Sequence, residues 1–576
     1  MRSAALRLPV AGVAFLALAD TAIVVLALPP ILRELDTDVA GVAAVLGVYA
    51  VVLALALPVV EWVWRRVGTR AVGISGVALF AGGSLACGLA DTLDALLAGR
   101  AVQAAGGAAL LVSAYALLSG EESGPRLWRL AALLGTAAGP AIGGALTQAF
   151  GWRSIFFLQA PAALVALPGC IGAGATPVES RARIGGEGRP PRRGRLAWQE
   201  VEAEGLVRPR WTVGRALALG LVSGAIAAAL FLTVLLLISG WGIEPLTAAL
   251  AVTVMPLAAL VTYRARGPAG TRAAGGALLV AAGSAALAFV PTASVAWTIL
   301  PQVAVGAGMG LALPALGGRL LPERSGRDAA GLLSIRHLGI ALALLILAPI
   351  AQNELDTTLE ETRERGAAVI LDASIDPRVK LDIAPELSEA VETEDPRGGL
   401  ERVFADGRGD VDDDELPAYD ELTERADDVL VAGVNDGFST AFLVGAGLAL
   451  LAAVILLPAA LGYSLIGLRP ALALGAICLA ALAVGAYALA ADRERPEEVV
   501  IADPCEDRDN PRSGGITGFL QDAALVAADE VACKAGSSRE ELVLAMVDKD
   551  AARDYERRYG VDPRSVTDLA RSVLPF

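Results

Sequence analysis

Gly135-Thr136-Ala137-Ala138-Gly139-Pro140-Ala141-Ile142-Gly143-Gly144 lies inside an apolar run, 126–149, that is long enough to cross a bilayer. Gly135, Gly139 and Gly143 recur every fourth residue, a spacing that lets a neighbouring helix come close to the backbone. Pro140 removes one helical hydrogen bond and bends the helix. A membrane helix that bends and slides against a partner needs both features. Taken alone, the stretch also fits a plain packing motif of any polytopic protein, so the rest of the chain has to decide.

Its composition is that of a membrane protein. Of the 576 residues, 55% are hydrophobic and 19% charged, with a mean hydropathy of +0.58. One histidine in the whole chain argues against histidine-based catalysis or a histidine-rich metal site. No nucleophile–base pair or metal constellation stands out either, so an enzyme, a cofactor, a metal and a nucleic-acid partner are not expected. The net charge of −15 is unevenly spread. The stretch 352–436 holds 26 acids against 8 bases, and 491–576 holds 19 against 12, which leaves the remainder basic. Acidic soluble parts and a basic membrane part are expected on opposite sides of the bilayer.

Apolar segments of spanning length fall near 9–29, 39–60, 71–90, 94–118, 126–149, 154–175, 214–240, 246–263, 272–291, 294–321, 328–350, 437–460 and 468–490. The first is expected to be a span rather than a signal peptide, because it runs past the small-residue site at Ala17-Leu18-Ala19 to Pro29. Alternate loops are basic: Arg65 to Arg70, Arg126 with Arg129, Arg181 to Arg215, Arg264 to Arg272, and Arg319 to Arg336. The others are short and neutral or acidic. The basic loops place the N-terminus in the cytoplasm. The expected organisation is an all-α polytopic protein with a six-helix half at 1–175 and a cytoplasmic linker at 176–213. Helices 7–11 follow at 214–351, an acidic extracytoplasmic insertion at 352–436 and helix 12 at 437–460. An extra helix at 468–490 leads to an extracytoplasmic domain at 491–576. Gly68-Thr69-Arg70-Ala71-Val72-Gly73 is echoed by Gly270-Thr271-Arg272-Ala273-Ala274-Gly275, six helices later, as two parallel repeats would leave it.

Asp20 lies midway along the first helix, where a carboxylate costs roughly 2.5–3.5 kcal/mol on insertion scales. Arg100 lies in the fourth helix. Each is nine residues from the outer end of its helix, at Pro29 and Asp91, hence about 13 Å deep. Equal depth permits the two to pair. A carboxylate that alternates between a cation and a dry setting can carry a proton. The plainer reading makes both polar residues that only fix packing. Gln103 and Gln302 could offer hydrogen bonds to a ligand. His337 is expected at a helix end as a surface or capping residue, and Trp241 and Trp297 as interface anchors.

These residues also carry a family resemblance. The 135–144 stretch resembles the antiporter motif in the fifth helix of major facilitator superfamily drug exporters. Ala19-Asp20-Thr21-Ala22-Ile23-Val24-Val25-Leu26-Ala27-Leu28-Pro29 resembles the first-helix motif L-D-x-T-I-V-N-V-A-L-P of the EmrB/QacA-type drug:proton antiporters. Arg100, Gln103 and Gly106 are similar to the fourth-helix motif, and Gly151-Trp152-Arg153-Ser154-Ile155-Phe156 to the corner after the fifth. Gly306 to Pro314, Arg336-His337-Leu338-Gly339 and Gly437 to Phe442 resemble later helices. The resemblance implies the major facilitator fold and alternating-access export of a small amphipathic compound driven by protons. Asp20 is then the proton site, Arg100 its modulator, and Gly135, Gly139, Pro140, Gly143 and Gly144 the antiporter bend.

Departures are informative. The family's loop G-x-L-x-D-R-x-G-R-K is here Glu61-Trp62-Val63-Trp64-Arg65-Arg66-Val67-Gly68-Thr69-Arg70. Glu61 replaces the leading Gly and Arg65 the Asp that latches the two halves. Glu61 with Arg65 or Arg66 is the available substitute. Val25 replaces a polar Asn. A receptor or assembly protein on a transporter-like scaffold, or an uncoupled facilitator, remains the alternative.

Outside the spans, 352–436 reads as a helical hairpin with a loose acidic tip. Asp410 to Glu421 nearly matches a calcium loop, but Glu415 stands where that loop needs Gly; a solvated acidic loop is the plainer reading. In 492–576, Ser538-Arg539-Glu540-Glu541 is a capping box. Cys505 and Cys533 either pair across a loop of about 28 residues, as an oxidising exterior favours, or remain free thiols. Both outer segments could engage a protein partner.

Overall fold

The computed structural model describes residues 2–119, 124–172, 213–317, 326–392, 396–461, 468–506, 508 and 515–565. The expected linker at 176–213 lies outside them except for Val213. Ten helical stretches among the described residues are long and apolar enough to cross a membrane, and no strand occurs among them.

The first bundle begins with α1 (Arg2–Val24), a 3-10 turn over Val25–Ala27, and α2 (Leu28–Glu34). Pro29 and Pro30 explain the break, since a proline fits only the first turn of a new helix. α3 (Val39–Gly88) carries the second and third spans in one 50-residue run. Gly68 divides it with φ 83°, a left-handed value that glycine adopts without strain. Tyr49 of the first arm and Phe80 of the second both flank Gly107 of α4 (Leu93–Ser119), so the arms lie side by side. α5 (Gly124–Phe150), α6 (Arg153–Leu164) and α7 (Leu167–Ile171) complete the bundle.

The second bundle holds α8 (Val213–Leu235), which ends in a π-turn at Leu236–Gly240, then α9 (Pro245–Val252), α10 (Val254–Thr262), α11 (Ala269–Leu287) and α12 (Val295–Gly317). Two longer helices follow. α13 (Gly326–Asp372) continues past the expected membrane edge near 350 for 22 residues, as one arm of a helical hairpin does. Between it and α16 (Leu416–Leu461) fold α14 (Pro377–Glu392) and α15 (Pro396–Gly407). The expected loose tip is therefore a packed cap. Ile383, Leu387, Leu400, Phe404, Tyr419 and Leu422 are all buried in it, and the Tyr419 hydroxyl donates to the Phe404 carbonyl at 2.9 Å. Arg397 grips Asp427 through Nε and Nη2 at 2.7 and 2.8 Å and donates from Nη1 to the Trp241 carbonyl. In the acidic loop, Glu415 accepts the Asp376 amide at 2.8 Å and Asp420 pairs with Arg408.

The last span is α17 (Leu468–Asp492). It is barely covered: Leu474, Leu479, Leu482 and Leu489 are exposed, as lipid-facing side chains would be. Tyr487 attaches it to Trp297, edge to face with ring centroids 5.6 Å apart. The tail then forms α18 (Gly515–Ala535), α19 (Arg539–Val547) and α20 (Lys549–Tyr559). Ser538 caps α19 by accepting the Glu541 amide at 3.0 Å. Arg539, fully buried, reaches Asp372 at the end of α13 at 2.9 Å, and Arg365 pairs with Glu498. Two spans separate the cap from the tail, so both emerge on one side, and these ion pairs join them there.

Cys505 and Cys533 form a disulfide. Serine at both positions is expected to destabilise the tail by about 3 kcal/mol through the freed loop entropy. Limited proteolysis should then cut 493–565 well before the bundles, whose melting should stay that of the unaltered protein.

Candidate functional site

Five helical segments of the first bundle converge on Asp20 and Arg100. Both side chains have no exposed surface. Arg100 Nη1 donates to Asp20 Oδ1 at 3.0 Å and Nη2 to Oδ2 at 2.7 Å, the two-point fork that suits a carboxylate. The remaining donors are placed as well. Arg100 Nε reaches the Val45 carbonyl at 3.2 Å, Nη1 also reaches Gln103 Oε1 at 2.6 Å, and the guanidinium lies over the Tyr49 ring at 4.3 Å.

A ring closes through two amides. Gln103 Nε2 donates to Gln159 Oε1 at 2.6 Å and to Ser84 Oγ at 2.8 Å. Gln159 Nε2 returns to Asp20 Oδ1 at 3.0 Å. A buried ionic network is tolerable only when its members are satisfied, and each contact here matches a donor to an acceptor. Gln103, expected to offer hydrogen bonds to a ligand, has both amide hydrogens committed inside the ring. Gln159, Tyr49 and Ser84 were not singled out in the sequence. A lone Gln within Phe156-Phe157-Leu158-Gln159-Ala160 was the available signal, since an amide in a lipid-spanning segment needs a partner.

Towards the cap, the site is sealed by Val24, Val25, Leu26, Ala27 and Leu28, all without exposed surface. They pack with Phe231, Leu235 and Leu237 of the second bundle. The small residues of α5 sit beside the site. A Cβ on Gly139 would stand 2.7 Å from that of Ala22, and one on Gly143 2.2 Å from the Ile23 carbonyl oxygen. Gly135 faces Ala19 in the same groove, while Gly144 faces the second bundle, where a Cβ would meet Ala249 and the Pro245 carbonyl. Pro140 is buried between them. The motif thus lays α5 against α1 and turns its last glycine to α9.

At the far end, Glu61 pairs with Arg65 along one helix, with a shortest N–O distance of 2.6 Å. Arg66 stacks on Trp62, Arg70 is exposed, and Trp64 donates to Thr69 across the Gly68 break at 2.9 Å. Glu61 lines a crevice with Leu57, Trp64, Ala329, Ala330 and Leu333, so it faces α13 of the other bundle. In the second bundle, buried Gln302 donates to Thr298 at 2.8 Å and its Oε1 has no partner among the described residues. Two expectations are corrected. His337 is buried within α13, its Nδ1 2.7 Å from the Leu333 carbonyl, because the helix runs well past it on both sides. Trp241 is buried rather than an interface anchor, donating to Asn435 of α16 at 2.8 Å.

A family model describing the Major Facilitator Superfamily matches residues 10–346. The chain is 34% identical over 154 residues to the multidrug resistance protein Stp of Mycobacterium tuberculosis (strain CDC 1551 / Oshkosh), covering 26% of this chain and 29% of that protein. It is 34% identical over 149 residues to the methylenomycin A resistance protein of Streptomyces coelicolor, covering 25% and 31%. To the putative multidrug resistance protein MdtD of Yersinia enterocolitica it is 32% identical over 157 residues, covering 26% and 34%. The alignments thus span about a third of these relatives or less. A solved bacterial homolog of the human lysosomal transporter Spinster superposes with TM-score 0.50 at 18% identity, over 79% of this chain and 98% of that one.

Removing one partner of a buried ion pair leaves the other charge uncompensated, at a cost of about 3–5 kcal/mol. Arg100→Met and Asp20→Leu are each expected to lower the melting temperature in detergent sharply. The double variant should melt closer to the unaltered protein than either single one; a double variant that melts lowest of the three would show that the pair is not the source of the loss.

Proposed function

The chain belongs to the major facilitator superfamily, and on that premise we propose that it exports small amphipathic molecules by alternating access, driven by protons that Asp20 takes up and releases. The observation that carries this reading is the closed ring around Asp20. Both of its oxygens receive only donors, at 2.7 to 3.0 Å. A proton on Oδ2 would set an O–H against the Arg100 N–H, donor to donor. Protonation therefore requires the pair to part, and a separated Arg100 has no other carboxylate in the ring to turn to. Proton uptake and a change of packing in the first bundle become one event.

Access supports the same cycle. The apolar seal at Val24–Leu28 closes the cap end, so water from that side reaches Asp20 only when the two bundles move apart. α5 lies on α1 through Gly139 and Gly143 and on α9 through Gly144, a smooth contact on which such movement can run. The mostly apolar helix faces and the resistance proteins among the relatives favour lipophilic cargo. In this reading the basic loops face the cytoplasm and the cap and tail lie outside, where the disulfide is stable. The folded cap and tail also favour a second reading, a membrane-anchored receptor or assembly protein whose outer domains bind a protein partner. An uncoupled facilitator is a third, and rests on Asp20 being structural.

Inverted membrane vesicles with an imposed pH gradient separate these readings. Lipophilic dye should move in the direction of export, stop when the gradient is collapsed, and move in the Asp20→Asn variant only at the gradient-free rate. An Asp20→Asn variant that still concentrates dye would make the protein's coupling independent of this residue. Absence of any movement across a panel of dyes would favour the receptor reading.

A further inference from the structure

Two glutamines at the cap end cross between the bundles, and they do so in the same way. Gln352, where α13 leaves the second bundle, accepts the amide of Val39, the first residue of α3, at 3.0 Å. Gln148, at the end of α5 in the first bundle, accepts the amide of Leu246 in the first turn of α9 at 2.9 Å. The first amides of a helix have no partner within it. In α9 that deficit begins at Leu246, because Pro245 has no N–H. Each glutamine therefore satisfies a helix start that belongs to the opposite bundle.

The amide nitrogens are oriented by carboxylates. Gln352 Nε2 donates to Asp356 Oδ1 at 2.8 Å, and Gln148 Nε2 to Glu244 Oε2 at 3.1 Å. The arrangement follows the internal repeat. In each case the fifth span of one bundle supplies the glutamine and the second span of the other supplies the helix start. One difference is sharp. Asp356 lies on the same helix as Gln352, so that glutamine makes a single bond across the mouth. Both partners of Gln148 lie on the far bundle, so it makes two.

We propose that Gln148 and Gln352 are paired latches that hold the cap-end mouth closed and let go together when the bundles rock. The proposal rests on the alternating-access reading above and adds the contacts that set its resting balance. The apolar seal beneath them, at Val24–Leu28 with Phe231 and Leu237, excludes water but has no direction. The latches do: they form at one relative position of the bundles and are lost over a displacement of an ångström or two, when water takes over both helix starts. They join two different pairs of spans across the bundles, α13 to α3 and α5 to α9, so one motion that parts the bundles breaks both.

The test reads a distance rather than flux. Nitroxide labels at Ala95→Cys and Ala296→Cys, both exposed at the cap-end starts of α4 and α12, report the width of the mouth. The background carries Cys478→Ser, since Cys478 is the exposed free thiol among Cys87, Cys170 and Cys478, and reduction is avoided to keep the disulfide. The unaltered protein should show a dominant short distance. Each latch contributes roughly a three- to ten-fold preference for closure, so Gln148→Ala and Gln352→Ala should each raise the open-to-closed ratio by that factor. Gln148→Ala should have the larger effect, and the double variant should show the product of the two. A double variant with the distance distribution of the unaltered protein would overturn the proposal. If no dye moves in vesicles while the mouth still widens in the double variant, the transport reading fails and the latches stand.

Discussion

A charged pair placed where no water can reach it sets the terms for the rest of the first bundle. Asp20 and Arg100 lie within apolar helices of spanning length with no exposed surface. Such a pair is stable only if its remaining donors and acceptors are met, and the ring through Gln103 and Gln159, the Val45 carbonyl and the Tyr49 face meets them. The same requirement dictates the packing around it. Five helical segments must converge, so their contacts have to be close, and glycine and alanine line α1 and α5 where they cross beside the site. The seal of Val24 to Leu28 keeps the site dry. A looser bundle would admit water, and the pair would lose its dependence on the position of its neighbours.

From this site the mechanics run outward along helices rather than through loops. α5 touches α1 beside Asp20 and α9 in the other bundle, so a shift of α1 reaches the inter-bundle contact within one helix. α13 runs unbroken from the His337 region, past Gln352, to Asp372, where Arg539 of the tail holds it. Cap and tail are therefore tied to the second bundle, to which Arg397 also fastens them at the Trp241 carbonyl.

How much of this the sequence carried follows from the physics of each feature. Asp20 and Arg100 stood out because charge is rare in apolar spans, and their equal depth could be counted along two helices. Gln159 and Tyr49 did not stand out, because a single amide or phenol leaves the hydropathy of a span almost unchanged and its partner lies on another helix. Gln103 stood out as an amide in a span, but its partners in this structure, Gln159 and Ser84, lie on other helical segments and could not be read from its own. The cap went wrong in a different way. Its apolar residues are spread over four short helical faces that bury one another, and composition weighed the acids without showing that Ile383, Phe404 and Tyr419 meet. His337 and Trp241 were placed by their distance from a presumed membrane edge, yet α13 has no end there and Trp241 is covered by α16. The break at Gly68 and the cap at Ser538, being local, were readable from their own residues.

The two bundles keep one backbone plan and divide the chemistry between them. The register that carries Gly68 onto Gly270 also carries Gly106 onto Gly308, and both of those glycines lie against the backbone of the preceding span. The same register carries Arg100 onto Gln302. Where the first bundle has a guanidinium locked to a carboxylate, the second has a neutral amide that donates to Thr298 and leaves an acceptor oxygen unmatched. A second buried charge would have needed its own ring, and with it a second set of tight contacts. A neutral amide needs far less. The asymmetry thus places the costly, position-sensitive ring at Arg100 in the first bundle and a lightly held amide at the matching position of the second, the bundle that carries the cap.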